Sequence, residues 1–72
     1  MTRNERHKRW QRLKKKLDKF KRTTNIPVGF YRSGNYVCAD FFIPGLSEMQ
    51  NMKWPISTQS KTIQAHVLLL IG

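Results

Sequence analysis

The sequence predicts a small α+β protein: a basic N-terminal helix, a three-stranded antiparallel sheet and a C-terminal helix, with a strand as the alternative for the last segment. Three observations predict it. Apolar residues recur at helical spacing through a lysine- and arginine-rich stretch near the N-terminus. Two aromatic and β-branched runs flank Ser33-Gly34-Asn35. A third run alternates Met52, Trp54 and Ile56 after a Pro44-Gly45 break. Seventy-two residues make one domain at most.

The first helix has both ends marked. Thr2-Arg3-Asn4-Glu5 fits a capping box, in which the hydroxyl and the carboxylate each satisfy an amide of the first turn. Trp10, Leu13, Leu17 and Phe20 follow at steps of 3, 4 and 3. At 100° per residue they fall within a sector roughly 80° wide, a single narrow seam. Glu5 with Arg9, and Asp18 with Arg22, are acid-before-base pairs at i,i+4. Thr23-Thr24-Asn25 and Pro27 end the helix, because the residue before proline is pushed to an extended conformation. A helix over residues 3–22 follows, about 30 Å long.

The next two runs form a hairpin. Val28 to Arg32 and Tyr36 to Ile43 are strand sequences, and a Gly/Asn turn between them is strong hairpin chemistry. The two-residue loop is either Ser33-Gly34 or Gly34-Asn35; the choice shifts the register by two, which leaves every side chain on the same face. Val28, Phe30, Val37, Ala39, Phe41 and Ile43 share one face, and Tyr31, Ser33, Tyr36, Cys38, Asp40 and Phe42 the other. Pro44-Gly45 ends the second strand, and a third strand is expected at about 51–57, at an edge because of Pro55. The last segment, SKTIQAHVLLLIG, suits either state. As a helix, Ser57, Thr58 or Ser60 caps it, Ile63, Val67, Leu70 and Ile71 share a face, and Gly72 closes it. As a strand, Thr62 to Val67 alternates without a break.

Charge divides the chain. Of 14 basic residues, eleven lie in residues 1–22 with two of the four acids, giving +9 of the total +10. Residues 1–25 therefore read as a basic amphipathic arm and 26–72 as a small, nearly neutral sheet-plus-helix body. Eleven like charges repel one another, and a polyanion relieves that repulsion. The apolar seam is narrower than a membrane-surface helix usually presents, so nucleic acid is the expected polyanion. The lone Cys38 forms no internal disulfide, and the longest apolar run, Val67 to Ile71, is far too short to span a bilayer; a cytoplasmic protein is expected.

Enzymatic constellations are missing from the pattern. The acids are scattered, and Cys38, His7 and His66 lack the paired spacings of a zinc site. No catalysis, metal or cofactor is expected. Arg3, Arg6, Lys8, Arg9, Arg12, Lys15 and Lys16 are the candidate phosphate contacts. Tyr31, Arg32, Tyr36 and Lys53 are the candidate groove contacts.

GFYRSGNYVCADF and STQSKTIQAHVLLLIG, with Ile63-Gln64-Ala65 in a closing helix, resemble the arm-site DNA-binding domain at the N-terminus of lambda-type bacteriophage tyrosine integrases. The resemblance covers residues 26–72 and favours a helix for the last segment. It implies a sheet inserted into the major groove, a basic tail reaching toward the minor groove and a helix backing the sheet. Basic residues are sparse on the present sheet, and the arm is longer and more helical than a tail. The recombinase's arginine, histidine and tyrosine cluster is absent, so strand cleavage does not carry over. The expected function is that of a small DNA-binding protein, phage or mobile-element encoded. The alternative is a module for an acidic protein or ribosomal RNA, docking through Trp10, Leu13, Leu17 and Phe20.

Overall fold

A computed structural model describes residues 2–43 and 45–71. The expectations for Pro44 and for a Gly72 cap lie outside these residues. Helix α1 (Arg3–Thr24) starts at its Thr2 cap, whose hydroxyl accepts from the Glu5 amide at 3.2 Å. It runs two residues beyond the expected end and stops at Asn25, which takes the left-handed conformation (φ 56°, ψ 31°) and donates its amide to the Lys21 carbonyl. Asparagine is among the few residues besides glycine that tolerate this conformation.

Strands β1 (Val28–Ser33), β2 (Tyr36–Phe42) and β3 (Met49–Pro55) form an antiparallel sheet in the order β1-β2-β3. Ser33 pairs with Tyr36, so the hairpin loop is Gly34-Asn35. Gly34 has φ +59°, the positive value a type II′ turn places at its first central residue. The third strand begins two residues earlier than expected and also ends earlier, correcting 51–57 to 49–55. Its start is set by backbone pairing of Met49 with Phe42 and Gln50 with Phe41, which the apolar alternation does not register. Ile56 falls beyond Pro55 and sends its amide to the Asn35 carbonyl instead. Pro55 lies on an edge strand, where its missing donor costs no ladder bond.

The last segment is helix α2 (Ser60–Ile71). Ser60, Ile63 and Val67 are buried and Ile71 half-buried, a helical period. A strand would have buried Ala65 with Ile63 and Val67, yet Ala65 is exposed. Leu70, expected on the inner face, is exposed with Leu68 and Leu69.

Both helices cover one face of the sheet. Leu13, Leu17 and Phe20 of α1 join Val28, Val37, Ala39, Phe41, Trp54, Ile56, Ile63 and Val67 in a single core, with Trp10, Phe30 and Met52 packed against it. Residues 1–25 thus share a core with residues 26–72. Trp54 also donates its indole N–H to Nδ1 of His66 at 2.8 Å, which ties β3 to α2. Among the described residues, no helix or strand covers the other face of the sheet.

Candidate nucleic-acid interface

Because the apolar seam of α1 points into the core, its basic residues are turned outward. Lys8, Arg12, Lys15, Lys19 and Arg22 recur at steps of 4, 3, 4 and 3 and are all exposed. At 100° per residue they form a ridge opposite Leu13, Leu17 and Phe20. The ridge is about 21 Å long. Arg3 and Lys16 are also exposed, Arg3 in the first turn and Lys16 on the flank toward α2.

Two of the predicted phosphate contacts serve the fold. Arg9 donates from Nε to the Ile56 carbonyl at 2.9 Å and from Nη2 to the Ser57 carbonyl at 2.7 Å. Its guanidinium therefore fastens the loop before α2 to α1 and is not directed at Glu5. Arg6 bonds through Nη1 to the Asn35 side chain on the hairpin turn. These three bonds tie the N-terminal half of α1 to the hairpin turn and to the loop that follows β3.

The seam proposed for a partner is taken up inside the molecule. Leu17 is 0% exposed, Leu13 and Phe20 are buried, and Trp10 is half-buried. A partner could reach them only if α1 left the core, which would expose the remainder of the hydrophobic cluster.

Between α1 and the start of α2 lies a groove of about 590 Å³. Lys8, Arg9, Arg12, Lys16 and Lys61 line it, with Glu5 as the acidic exception, together with Leu13, Thr58, Gln59 and Ser60. None of the serines and threonines expected to cap α2 does so: among the described residues, no hydrogen bond reaches the amides of Ser60 and Lys61. The first turn of α2 also holds no acid. Its positive end is open to the groove.

The open face of the sheet has a different character. Tyr31, Tyr36, Phe42 and Met49 are exposed there, Asp40 is half-buried, and Asn51 and Lys53 stand on β3. Asn51 Nδ2 donates to Asp40 Oδ1 and, at 3.0 Å, to the Tyr31 hydroxyl oxygen. The Lys53 ammonium sits 5.1 Å from the Tyr36 ring centroid, a cation–π distance. Cys38, flanked by Tyr31 and Lys53, is buried although it belongs to this face. Arg32 has the parity of Val28 and Phe30, so it belongs to the helix-covered side and not with the tyrosines, as its pairing with Val37 confirms. Lysine and aspartate cancel, and the face has no net charge.

The chain matches no protein-family model, no curated protein and no solved structure. The geometry is therefore the ground for a functional reading. Among the described residues no three His, Cys, Asp or Glu side chains gather to hold a metal ion, and no helix is long and apolar enough to cross a membrane. His7 is exposed on α1 and His66 accepts from Trp54.

Of the ridge cations the sequence singled out Lys8, Arg12 and Lys15 but not Lys19 and Arg22, and it gave no sign of the groove, Arg9's carbonyl partners or the Asn51 network. Arg9 and Ile56 are 47 residues apart, and no local pattern signals such a contact. The absence of an acid in the first turn of SKTIQAHVLLLIG is the one sequence signal that could have marked α2's open end.

Proposed function

We propose that this is a non-enzymatic DNA-binding protein that holds the phosphate backbone with its helix layer. The observation that carries the reading is the α1 ridge: five exposed cations in register along about 21 Å, on a helix with a formal charge of +9. Duplex DNA carries one negative charge per roughly 1.7 Å of axis with both strands counted, so the ridge spans a length of duplex holding about a dozen phosphate charges, only part of them on the near side. Contact with about five of them fits the spacing. The resemblance to arm-site domains supports DNA over RNA.

The open sheet face is a poor partner in the same contact. It lies on the reverse side of the molecule from the ridge, so one straight duplex does not meet both, and its charge is neutral. Groove readout by Tyr31, Tyr36 and Lys53 would then need a second, separate approach with no electrostatic attraction to drive it. Binding through the helices alone is largely independent of base sequence. The cytoplasm, where nucleic acid is accessible, is the compartment this reading implies.

Titrating the protein with duplex DNA, single-stranded DNA, RNA and anionic vesicles over a range of salt tests it. Tight, salt-dependent binding to duplex DNA, weakened about equally on unrelated sequences by Lys15→Ala, is the expected result. Stronger binding to vesicles than to any nucleic acid would replace DNA by a lipid surface as the partner, and a flat response to all four would end the polyanion reading.

A further inference from the structure

The groove between α1 and α2 differs from the ridge in kind. On the ridge, mobile ammonium and guanidinium groups stand in solvent, where each acts as a diffuse charge. In the groove, fixed donors converge. The Ser60 and Lys61 amides are held rigid by the first turn of α2 and have no acceptor among the described residues. Ser60 is only 9% exposed, and its side chain has no partner there either. Among the described residues no sealed side-chain oxygen or nitrogen goes unpaired. The Ser60 hydroxyl must therefore open to solvent, and the groove is the space that Ser60 lines.

From these donors, and from Lys8, Arg12, Lys16 and Lys61 around them, we infer that the groove is a phosphate site, seating one backbone phosphate of a bound nucleic acid at the N-terminus of α2. The inference rests on the nucleic-acid reading above for its ligand, while the anion chemistry of the groove stands on its own. Two rigid amides, a hydroxyl and the positive end of a twelve-residue helix match a tetrahedral oxyanion. Arg12 adds a planar fork suited to two oxygens of one phosphate. Arg9 is the positioning residue: by holding the Ile56 and Ser57 carbonyls it sets the loop that aims α2 at α1.

A second depression serves as a contrast. Lys15, Lys19, Lys21 and Arg22 line a hollow at the other end of α1, together with Asp18, Asn25, Ile26 and Pro27. That hollow adjoins a helix C-terminus, whose carbonyl end repels an anion. Five cations in the groove and four in the hollow thus give one site with convergent amides and one with opposing carbonyls. The α2 groove would fix where along the backbone the protein sits, and the ridge would supply attraction without register.

Gln59→Asp provides the test, because Gln59 precedes the first turn of α2 and a carboxylate there supplies the missing cap. Such a cap accepts from the Lys61 amide, places a negative charge at the positive end of α2 and stabilises the helix, so this variant folds at least as well as the parent. Inorganic phosphate is titrated into the ¹⁵N-labelled full chain at constant ionic strength. The expected result is saturable shifts centred on the Ser60 and Lys61 amides, about tenfold weaker binding in Gln59→Asp and in Arg12→Gln, and unchanged phosphate affinity in Lys19→Gln. Gln59→Asp should also melt at a higher temperature and reduce the slope of duplex affinity against salt by about one. Shifts spread evenly over α1, or a Gln59→Asp variant that melts higher yet binds phosphate as before, would overturn the site. Those outcomes leave duplex binding itself intact. Conversely, a groove that takes phosphate in a chain that binds no duplex at low salt would overturn the assignment to nucleic acid.

Discussion

Arg9 is the residue on which the junction of the two helices depends. Its planar fork meets two carbonyls that no water-exposed lysine could hold as well, because an ammonium is a point charge without the matching geometry. Arg9→Ala leaves two carbonyls without protein donors and should cost about 1–2 kcal/mol. For a chain of this size each kcal/mol lowers the melting temperature by roughly 4–8 °C. Thermal melts by circular dichroism check this, and an unchanged melting temperature would show the bonds to be idle. On the open sheet face, Tyr36→Ala should remove the cation–π contact with Lys53 and leave duplex affinity within about twofold of the parent. Nearest-neighbour logic identified Tyr31, Tyr36 and Asp40 as one face, because strand parity is local. It did not reveal Asn51 between Tyr31 and Asp40, since that contact is set by the register of β3.

At the scale of the elements, α1 performs two jobs on two sides of one cylinder. Leu17 lies at the centre of its inner side and is fully buried. Leu17→Ala should cost about 3–5 kcal/mol by lost burial and the cavity left behind. A chain of 72 residues has a total stability of about 4–11 kcal/mol, so this one change takes a large share of it. Urea titration should show a midpoint lowered by about a quarter or more; a shift of only a few per cent would mean that α1 contributes little to the core. The seam was legible because four apolar residues kept a 3.6-residue period among charges. Whether it faced a partner or the chain's own sheet was not legible, because a narrow stripe serves either. The ambiguity of α2 had a similar origin: Ile63 and Val67 satisfy helical and alternating patterns alike, and exposed Ala65 separates the two only once the helix is placed. Residues 49–50 were missed as strand because Met49 and Gln50 carry no alternation of their own and are recruited by pairing with Phe42 and Phe41.

Over the whole molecule, charge is segregated to one side of a thin body whose Cα extents are 41 × 23 × 15 Å. With a net charge of +10, self-repulsion opposes the compact state and salt relieves it. The melting temperature should therefore rise as sodium chloride is increased from about 0.02 to 0.5 M, a range over which the Debye length shrinks from tens of ångströms to a few. Calorimetry reads this directly, and a melting temperature that falls with salt would show that attractive charge contacts dominate. The same segregation separates the account from one in which the sheet reads DNA: substitutions on the helix layer and on the sheet face should have opposite weight. The most direct measurement is the dependence of duplex DNA affinity on salt for the parent chain, for Lys8→Gln/Lys15→Gln on the ridge and for Tyr31→Ala/Tyr36→Ala on the sheet. Phosphate binding by the helix layer predicts a log–log slope of roughly −4 to −5 for the parent, a slope shallower by about two for the ridge variant and an unchanged slope for the sheet variant. A parent slope near zero, or a sheet variant that loses binding while the ridge variant keeps it, would contradict it.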